Sequence, residues 1–429
     1  MRAQKNPAES QNNNQPSRTG HSWMRSLVFK GFRGLTKGRL RVSEDNQVWD
    51  FGTPADPLQA DLRIHNPACY GDIVFGGSVG AAEAYMRGDW SSGNLTSLMQ
   101  LMAVNMPVVG KLEAGLAALA QPLRLGIHYL RRNTRQGSRK NIAAHYDLSN
   151  AFFKGMLDRR MMYSCAFFPN STTTLDDAST LKLDRICQKL KLQPNDHLLE
   201  IGTGWGGMAL FAAEHYGCKV TTTTISKEQH AYAKRAIEEA GLSQQITLLM
   251  SDYRDLEGHY DKLVSIEMIE AVGHQFLTSY FQTCSRLLKP EGTMLIQAIT
   301  IPDVRYASAL REVDFIKKFI FPGSFIPSIG AMVKASSTST DLQLNHLEDQ
   351  TPHYALTLAK WRENFQKNLH DLPEHLNNPT FKRMWDFYLA YCEGGFRERV
   401  IGSAQLMFSK SHSHFQTPLI TFDSMGSLP

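Results

Sequence analysis

A glycine-rich loop is the clearest candidate for chemistry in this chain of 429 residues. The apolar run 198–201 leads into Gly-Thr-Gly-Trp-Gly-Gly at 202–207, and residues 208–215 have the pattern of a helix. Glycine has no Cβ, so this backbone can turn sharply and let a ligand lie against it. The helix that follows offers free N–H groups and a positive dipole end to negative charge. The loop therefore predicts a nucleotide-cofactor site.

Two cofactor templates fit this loop. Its glycines satisfy G-x-G-x-x-G, the dinucleotide fingerprint. With Glu200 in front, Gly202, Gly204 and Gly206 also satisfy E-x-G-x-G-x-G, the first motif of S-adenosylmethionine-dependent methyltransferases. A dinucleotide site needs an acid at the end of the second strand, but that strand, 218–225, ends in hydroxyl side chains and Ile225. The pattern favours S-adenosylmethionine, and a nicotinamide-dependent oxidoreductase stays as the alternative.

Alternating strands and helices must position the loop. The pattern predicts strands at about 197–201, 218–225, 246–251, 262–266 and 293–299, with helices at 207–216, 226–240 and 276–288. Such alternation indicates an α/β fold, with a doubly wound, mostly parallel sheet and right-handed crossovers. Ligands of these sheets bind beyond the carboxyl ends of the strands. The loops predicted around one crevice are 202–207, 224–229, 252–255, 267–274 and 297–303.

The chain divides into five predicted segments. They are a poorly ordered tail (1–34), an N-terminal auxiliary domain (35–108), an amphipathic and basic linker helix (109–140), a catalytic domain (141–410) and a C-terminal tail (411–429). A basic cluster beside an amphipathic helix can bind anionic lipid headgroups, although a solvated connector between domains has the same pattern. The cluster comprises Arg131, Arg132, Arg135, Arg139 and Lys140.

Composition narrows the class of protein. The hydrophobic content of 42% and the charged content of 20% are ordinary for a globular protein, and the net charge of +5 decides little. The six cysteines form no C-x-x-C pair, so neither a zinc site nor a disulfide framework is predicted, which suits a reducing cytosol. No apolar run is long enough to span a bilayer, and the polar N-terminus has no signal-peptide pattern. Any membrane role would be peripheral.

Several motifs around the crevice resemble the cyclopropane fatty acid synthase family. They are HYDLSN at 145–150, MYSCAFF at 162–168, the loop at 200–207, DYRD at 252–255, IEAVG at 269–273 and FIFPG at 319–323. The match runs in register from about 140 to 410, and QAITIPD at 297–303 resembles most closely the branch with Gln in place of His. The resemblance implies a Rossmann-like class I methyltransferase with a seven-stranded sheet and a small auxiliary domain.

The resemblance implies a reaction on lipid. The family transfers a methyl group from S-adenosylmethionine to the cis double bond of a phospholipid acyl chain, and proton loss from that methyl then closes a cyclopropane ring. A related enzyme could instead give a methyl- or methylene-branched chain, and an inactive lipid-binding relative is the third alternative. The expected partner is unsaturated phospholipid in the membrane surface, not nucleic acid, and a homodimer is compatible with the resemblance. The expected location is the cytoplasm, peripherally associated with the inner face of the membrane.

The resemblance also implies roles for individual residues. In the family the base is a bound bicarbonate ion, and the groups expected to hold it here belong to Cys165, Glu270, Gln297, Ile299 and Tyr354. Cys392 aligns with a cysteine often described as a nucleophile, but the chemistry needs no thiol, so a structural or channel-lining role is expected. The residues expected at the cofactor are Tyr163, Ser164, Glu200, Gly202, Gly204, Thr224, Gln229 and Tyr253. No metal site is predicted.

Overall fold

The N-terminal part of the described chain is a small unit that combines helices with a four-stranded sheet. The structure is a computed structural model that describes residues 18–107, Gly110 and 149–413. The sheet has the order β2-β1-β3-β4, with β1 and β3 parallel and the other neighbours antiparallel. Its elements are α1 (Arg18–Phe32), β1 (Arg39–Glu44), β2 (Gln47–Gly52), β3 (Gln59–Ile64), α2 (Cys69–Arg87), β4 (Trp90–Ser91) and α3 (Leu95–Val104).

The helix α1 corrects one prediction. Poor order was expected for residues 1–34, but 18–32 form a helix whose Val28, Phe29 and Phe32 are buried. The ring of Phe29 packs edge-on against Phe51 at 5.1 Å, so these aromatic groups gain burial that a tail would not give them. The sequence analysis did not predict this helix because polar residues precede it. Residues 1–17 and the predicted linker 109–140 lie outside the described residues, apart from Gly110.

The second part of the chain is built on a seven-stranded sheet of order β10-β11-β9-β8-β5-β6-β7. The pairs from β9 to β7 are parallel, whereas β11 is antiparallel to both β9 and β10. The strands are β5 (His197–Ile201), β6 (Lys219–Thr224), β7 (Ile246–Met250), β8 (Tyr260–Ile266), β9 (Leu288–Thr300), β10 (Gln343–Asp349) and β11 (Gly402–Ser409).

Helices cover both faces of this sheet and extend beyond its carboxyl edge. They are α4 (Asn150–Met156), α5 (Leu175–Leu190), α6 (Gly207–Tyr216), α7 (Lys227–Glu239), α8 (Leu277–Leu287), α9 (Asp303–Ala309), α10 (Ile329–Ser339), α11 (Thr351–Lys367) and α12 (Pro379–Arg397), with a π-helical turn at Ile316–Ile320. Ser226 caps α7 by accepting from the Gln229 N–H, as its capping-box pattern predicts. The predicted α/β fold class with a seven-stranded sheet is confirmed.

The N-terminal unit packs against the long helix α12. The Thr96 hydroxyl donates to Glu393 Oε2 over 2.9 Å, and the Arg383 guanidinium donates to the Trp90 carbonyl over 2.8 Å. These buried or half-buried polar contacts fix the unit against the catalytic part of the chain. Within residues 18–107 and 149–413, no helix is both long and apolar enough to cross a bilayer.

Candidate active site

A cavity of about 530 Å³ opens at the carboxyl ends of the parallel strands. The glycine loop forms one wall, and aromatic side chains of α11 and α12 form another. The N-terminal unit supplies a third wall through apolar groups such as Ile73, Met99 and Met102. The sequence had predicted the crevice but had assigned no part of it to the auxiliary domain.

The glycine loop has the backbone that its composition requires. Gly202, Gly204 and Gly206 have φ values of +102°, +53° and +93°, in the region that side chains rarely adopt. A Cβ at Gly202 would lie 3.2 Å from Met268, whereas a Cβ at Gly204 would meet nothing within 4 Å. The open space beside Gly204 belongs to the cavity wall. A cofactor can therefore approach the backbone there, directly before α6 begins.

A substitution in this loop gives a first testable expectation. Gly204→Ala should weaken S-adenosylmethionine binding about tenfold, because the added methyl would enter the space left for the ligand. Gly241→Ala is a matched control, since Gly241 also has a positive φ (+69°) and open space but does not line the cavity. Each variant should lose about 1–2 kcal/mol of stability from the left-handed backbone. Isothermal titration and thermal unfolding measure both effects, and equal binding by the two variants would contradict this placement.

Polar side chains of β5 and β6 lie next to the glycine loop. The Glu200 carboxyl is buried and accepts from the Thr222 hydroxyl over 2.6 Å, and burial raises its pKa to about 8. Thr224 donates to Gln229 Oε1 over 3.0 Å, which joins the end of β6 to α7. Tyr253, which follows β7, also lines the cavity. The structure thus brings these predicted cofactor residues around one space.

The segment 161–168 crosses the opposite side of the loop. Tyr163 and Tyr388 share a hydrogen bond of 2.9 Å between their hydroxyls. Ser164 accepts from the fully buried ammonium of Lys182 over 2.8 Å. Burial lowers the pKa of Lys182, while the nearby carboxylate of Glu267 opposes that shift. The segment therefore links the predicted cofactor wall to a buried cluster of charges.

The centre of that cluster is a residue that the sequence analysis did not select. The Glu267 carboxylate accepts from the Cys165 backbone N–H (2.8 Å) and the Gln297 amide (2.9 Å) through Oε1, and from the Tyr354 hydroxyl (2.6 Å) through Oε2. The same amide of Gln297 also donates to the Cys165 carbonyl over 3.1 Å. Three of the groups predicted to hold a bicarbonate ion thus bind this side chain.

Glu270 completes a pair of buried carboxyl groups. Its Oε1 accepts from the Ile299 backbone N–H over 2.6 Å, so two groups that were predicted to hold the ion bind each other in the structure. Its buried Oε2 has no hydrogen-bond partner among the described residues. Burial, followed by the charge of Glu267, raises the pKa of Glu270 to about 8. Two adjacent carboxylates repel each other when both are ionised, and this repulsion favours a proton on Glu270.

Cys392 lies apart from these hydrogen bonds. It lines the cavity from α12, and burial raises the pKa of its thiol. A neutral thiol is a poor nucleophile, because the thiolate is the reactive form. This placement suits the channel-lining role that was expected for it.

The residues that were missed carry little or no signal in the sequence. Glu267 lies three positions before Glu270 in the loop after β8, and this spacing of two acids was visible. Lys182 and Gln405 lie on α5 and β11, far from the motifs, and only the tertiary fold brings them to the site. Gln405 donates to Gln297 Oε1 over 2.9 Å. Because the Gln297 oxygen is thereby paired, its amide N–H₂ group is turned towards Glu267.

Known proteins share this fold and this family. Residues 133–406 match the family described as mycolic acid cyclopropane synthetase. The chain is 37% identical over 372 residues to tuberculostearic acid methyltransferase UfaA1 of Mycobacterium tuberculosis, covering 82% of this chain and 84% of the relative. It is 34% identical over 359 residues to the cyclopropane-fatty-acyl-phospholipid synthase of Escherichia coli (strain K12), covering 82% and 88%.

Solved structures agree with this relationship. The cyclopropane synthase MmaA2 of Mycobacterium tuberculosis has a TM-score of 0.59 at 30% identity, covering 63% of this chain and 98% of that one. The mycolic acid cyclopropane synthase CmaA1, solved with S-adenosylhomocysteine and CTAB, has a TM-score of 0.59 at 31% identity, covering 63% and 98%. The fold and the glycine loop thus define a class I S-adenosylmethionine-dependent methyltransferase. More particularly, the chain belongs to the mycolic acid cyclopropane synthetase family, whose members modify lipids.

Proposed function

We propose that this enzyme transfers a methyl group from S-adenosylmethionine to the cis double bond of an unsaturated phospholipid acyl chain and forms a cyclopropane ring. The observation that carries the proposal is the composition of the cavity. One apolar space joins the glycine loop, a set of aromatic faces and a pair of buried carboxyl groups. An acyl chain needs apolar walls, and ring closure needs a base close to the reacting carbon.

The aromatic side chains suit the intermediate of this reaction. S-adenosylmethionine supplies an electrophilic methyl group, and an alkene that accepts it becomes a carbocation. The rings of Tyr163, Phe321 and Tyr388 line the cavity, and their π-faces can stabilise positive charge. Because the remaining walls are mostly apolar, water that would quench a cation is excluded. The apolar groups of the N-terminal unit extend this lining and give room for the rest of an acyl chain.

The proposed product, a cyclopropane ring, has one alternative, a branched acyl chain. The same carbocation can lose a proton from the new methyl group and close a ring. Alternatively it can shift a hydride and then lose a proton, which gives a methylene branch or a methyl branch beside a double bond. The relative named tuberculostearic acid methyltransferase, at 37% identity, favours a branched product, whereas the Escherichia coli relative favours the ring. The pair of carboxyl groups offers a base for the proton that both the ring and the methylene branch release, and the ring stays first because it needs no hydride shift before that loss.

A bicarbonate ion does not fit the predicted site in this structure. The Cys165 N–H and the donors of Gln297 and Tyr354 already bind the Glu267 carboxylate, and the Ile299 N–H binds Glu270. An ion added beside Glu267 would bring a second negative charge to a site where these four described donors are already taken. We therefore derive no step through bicarbonate.

Access to the substrate would require contact with a lipid surface. The basic cluster at 131–140 is the proposed contact, because lysine and arginine near a membrane attract anionic headgroups. This cluster and the predicted linker helix lie outside the described residues. Peripheral attachment at the inner face of the membrane and a homodimer stay proposals of the same kind.

The proposal is tested with purified protein, methyl-labelled S-adenosylmethionine and phospholipid vesicles. Label should enter the acyl chains of dioleoyl vesicles and should not enter matched distearoyl vesicles, which lack the double bond. Base hydrolysis before counting separates acyl label from headgroup label. Label in headgroups alone, or equal label in both vesicles, would contradict the proposed acceptor.

A further inference from the structure

The carboxylate of Glu267 occupies the place where the resemblance put a bicarbonate ion. It binds the Cys165 N–H, the Gln297 amide and the Tyr354 hydroxyl at 2.6–2.9 Å. A carboxylate presents the same planar pair of oxygens as bicarbonate, so these donors suit either group. We propose that Glu267 is the catalytic base of this enzyme and replaces a diffusible bicarbonate ion. The inference rests on the proposed methyl transfer to lipid and names the residue that completes it.

The backbone at Glu267 is strained in a way that serves this placement. Glu267 has φ +50°, a left-handed conformation that favours glycine. Its N–H donates to the Gln297 carbonyl over 2.8 Å, which holds the main chain at the end of β8 against β9. Strained conformations persist where the surroundings fix them, and they cluster at functional sites. Here the turn directs the side chain into the cavity wall rather than into solvent.

The charges around Glu267 suit a base. Burial raises the pKa of Glu267, while the hydrogen bonds of Tyr354, Gln297 and Cys165 and the charge of Lys182 oppose the shift. Burial thus makes the Glu267 carboxylate more basic than an exposed one, while its hydrogen-bond donors and Lys182 favour the ionised form. Gln297 fits this assignment because its oxygen is paired to Gln405, so the group facing Glu267 is a donor.

One acceptor position of Glu267 is left for a proton. A carboxylate has about four lone-pair sites, and the described residues fill two on Oε1 and one on Oε2. In the proposed step a C–H bond of the transferred methyl breaks, and its electron pair forms the C–C bond that closes the ring. The proton goes to Oε2 of Glu267. The carbocation becomes a neutral product and the carboxylate becomes a carboxylic acid, so charge and atoms balance.

The experiment compares three proteins with and without bicarbonate: the wild type, Glu267→Gln and Glu267→Gly. Gln keeps the shape of the side chain but cannot accept the proton, and Gly removes the side chain at a position whose φ it tolerates. In buffer freed of carbon dioxide, the wild type should keep its rate within about twofold, and both variants should lose product at least about a hundredfold. Added bicarbonate at millimolar concentration should restore much of the rate of Glu267→Gly, because its cradle is then empty.

The outcomes separate this inference from the proposed function. A wild-type rate that falls when bicarbonate is removed would overturn the inference, as would a Glu267→Gln enzyme with more than about a tenth of the wild-type rate. A folded Glu267→Gly enzyme that bicarbonate does not revive would also contradict it. Titration with S-adenosylmethionine shows that each variant is folded. If the wild type puts no methyl group into lipid under either condition, the proposed function itself fails.

Discussion

Replacing Glu270 by Gln is expected to lower turnover about a hundredfold and to leave S-adenosylmethionine binding within about threefold of wild type. The amide oxygen of the new side chain can still accept from the Ile299 N–H, which now binds Oε1 of Glu270 over 2.6 Å. The amide N–H₂ group then replaces Oε2, the buried oxygen that has no partner among the described residues. A permanent donor would face the carbocation, and no proton could pass between this position and Glu267.

The same substitution should change how stability depends on pH. The pKa of Glu270 is raised from 4.5 to about 8 in the folded protein, so the folded state binds its proton more tightly than the unfolded state. The resulting stabilisation is complete below pH 4.5 and is lost as pH rises through about 8. The Tm of the wild type should therefore fall more between pH 6 and about 9 than the Tm of Glu270→Gln.

A control variant separates this effect from a general loss of carboxylate charge. Glu348→Gln makes the same change on β10, where Glu348 pairs with Arg185 and Lys189 and does not line the cavity. Turnover by Glu348→Gln should stay near that of the wild type. The role assigned to Glu270 would be wrong if its Gln variant turned over normally, or if cofactor binding were lost together with turnover.

Replacing Tyr354 by Phe is expected to lower turnover about 10–100-fold and to move the acidic limb of the pH–rate profile upwards. The buried Tyr354 side chain donates through its hydroxyl to Glu267 Oε2 over 2.6 Å. Hydrogen bonds to a charged group contribute about 1.5–3 kcal/mol. Without this bond the ionised form of Glu267 is less stable, so the pKa of Glu267 should rise further. Glu270 and Lys182 face the same carboxylate and keep their own contributions.

The pH profile distinguishes a positioning role for Tyr354 from a structural one. Tyr70→Phe is a matched control, because the buried Tyr70 hydroxyl donates to Glu44 Oε2 over 2.7 Å in the N-terminal unit. Both variants should lose stability, but the Tyr70→Phe profile should coincide with that of the wild type. Coincident profiles for all three proteins would mean that Tyr354 does not act on the base.

The fold was predictable because its signals are local. Alternation of apolar runs with helical periodicity placed the five parallel strands within about two residues of their observed bounds, apart from the early start of β9 at Leu288. Three of the four glycines in the loop, Gly202, Gly204 and Gly206, have a positive φ, which explains why the loop is rich in glycine. The helix α1 was missed because its apolar groups gain burial only when α2 and the N-terminal sheet pack against them.

The site was predictable only in part, for a related reason. The resemblance placed Cys165, Tyr354 and Glu270 around one crevice. In the structure Cys165 and Tyr354 bind the Glu267 carboxylate, whereas Glu270 binds the Ile299 N–H beside them. The group that Cys165 and Tyr354 bind is Glu267, which carries no motif signal of its own. Its role depends on donors from three distant segments and on a backbone turn, and the spacing of residues along the chain does not reveal either.

The central claim is that a methyl group from S-adenosylmethionine reaches an acyl double bond and then loses one hydrogen to a base of the protein. The direct measurement uses trideuteromethyl S-adenosylmethionine with dioleoyl vesicles, followed by mass spectrometry of the released acyl esters. Proton removal from the transferred carbon predicts products that keep two deuterium atoms, as a ring or a methylene branch. Products that keep all three deuterium atoms, or acyl chains without deuterium, would contradict the account.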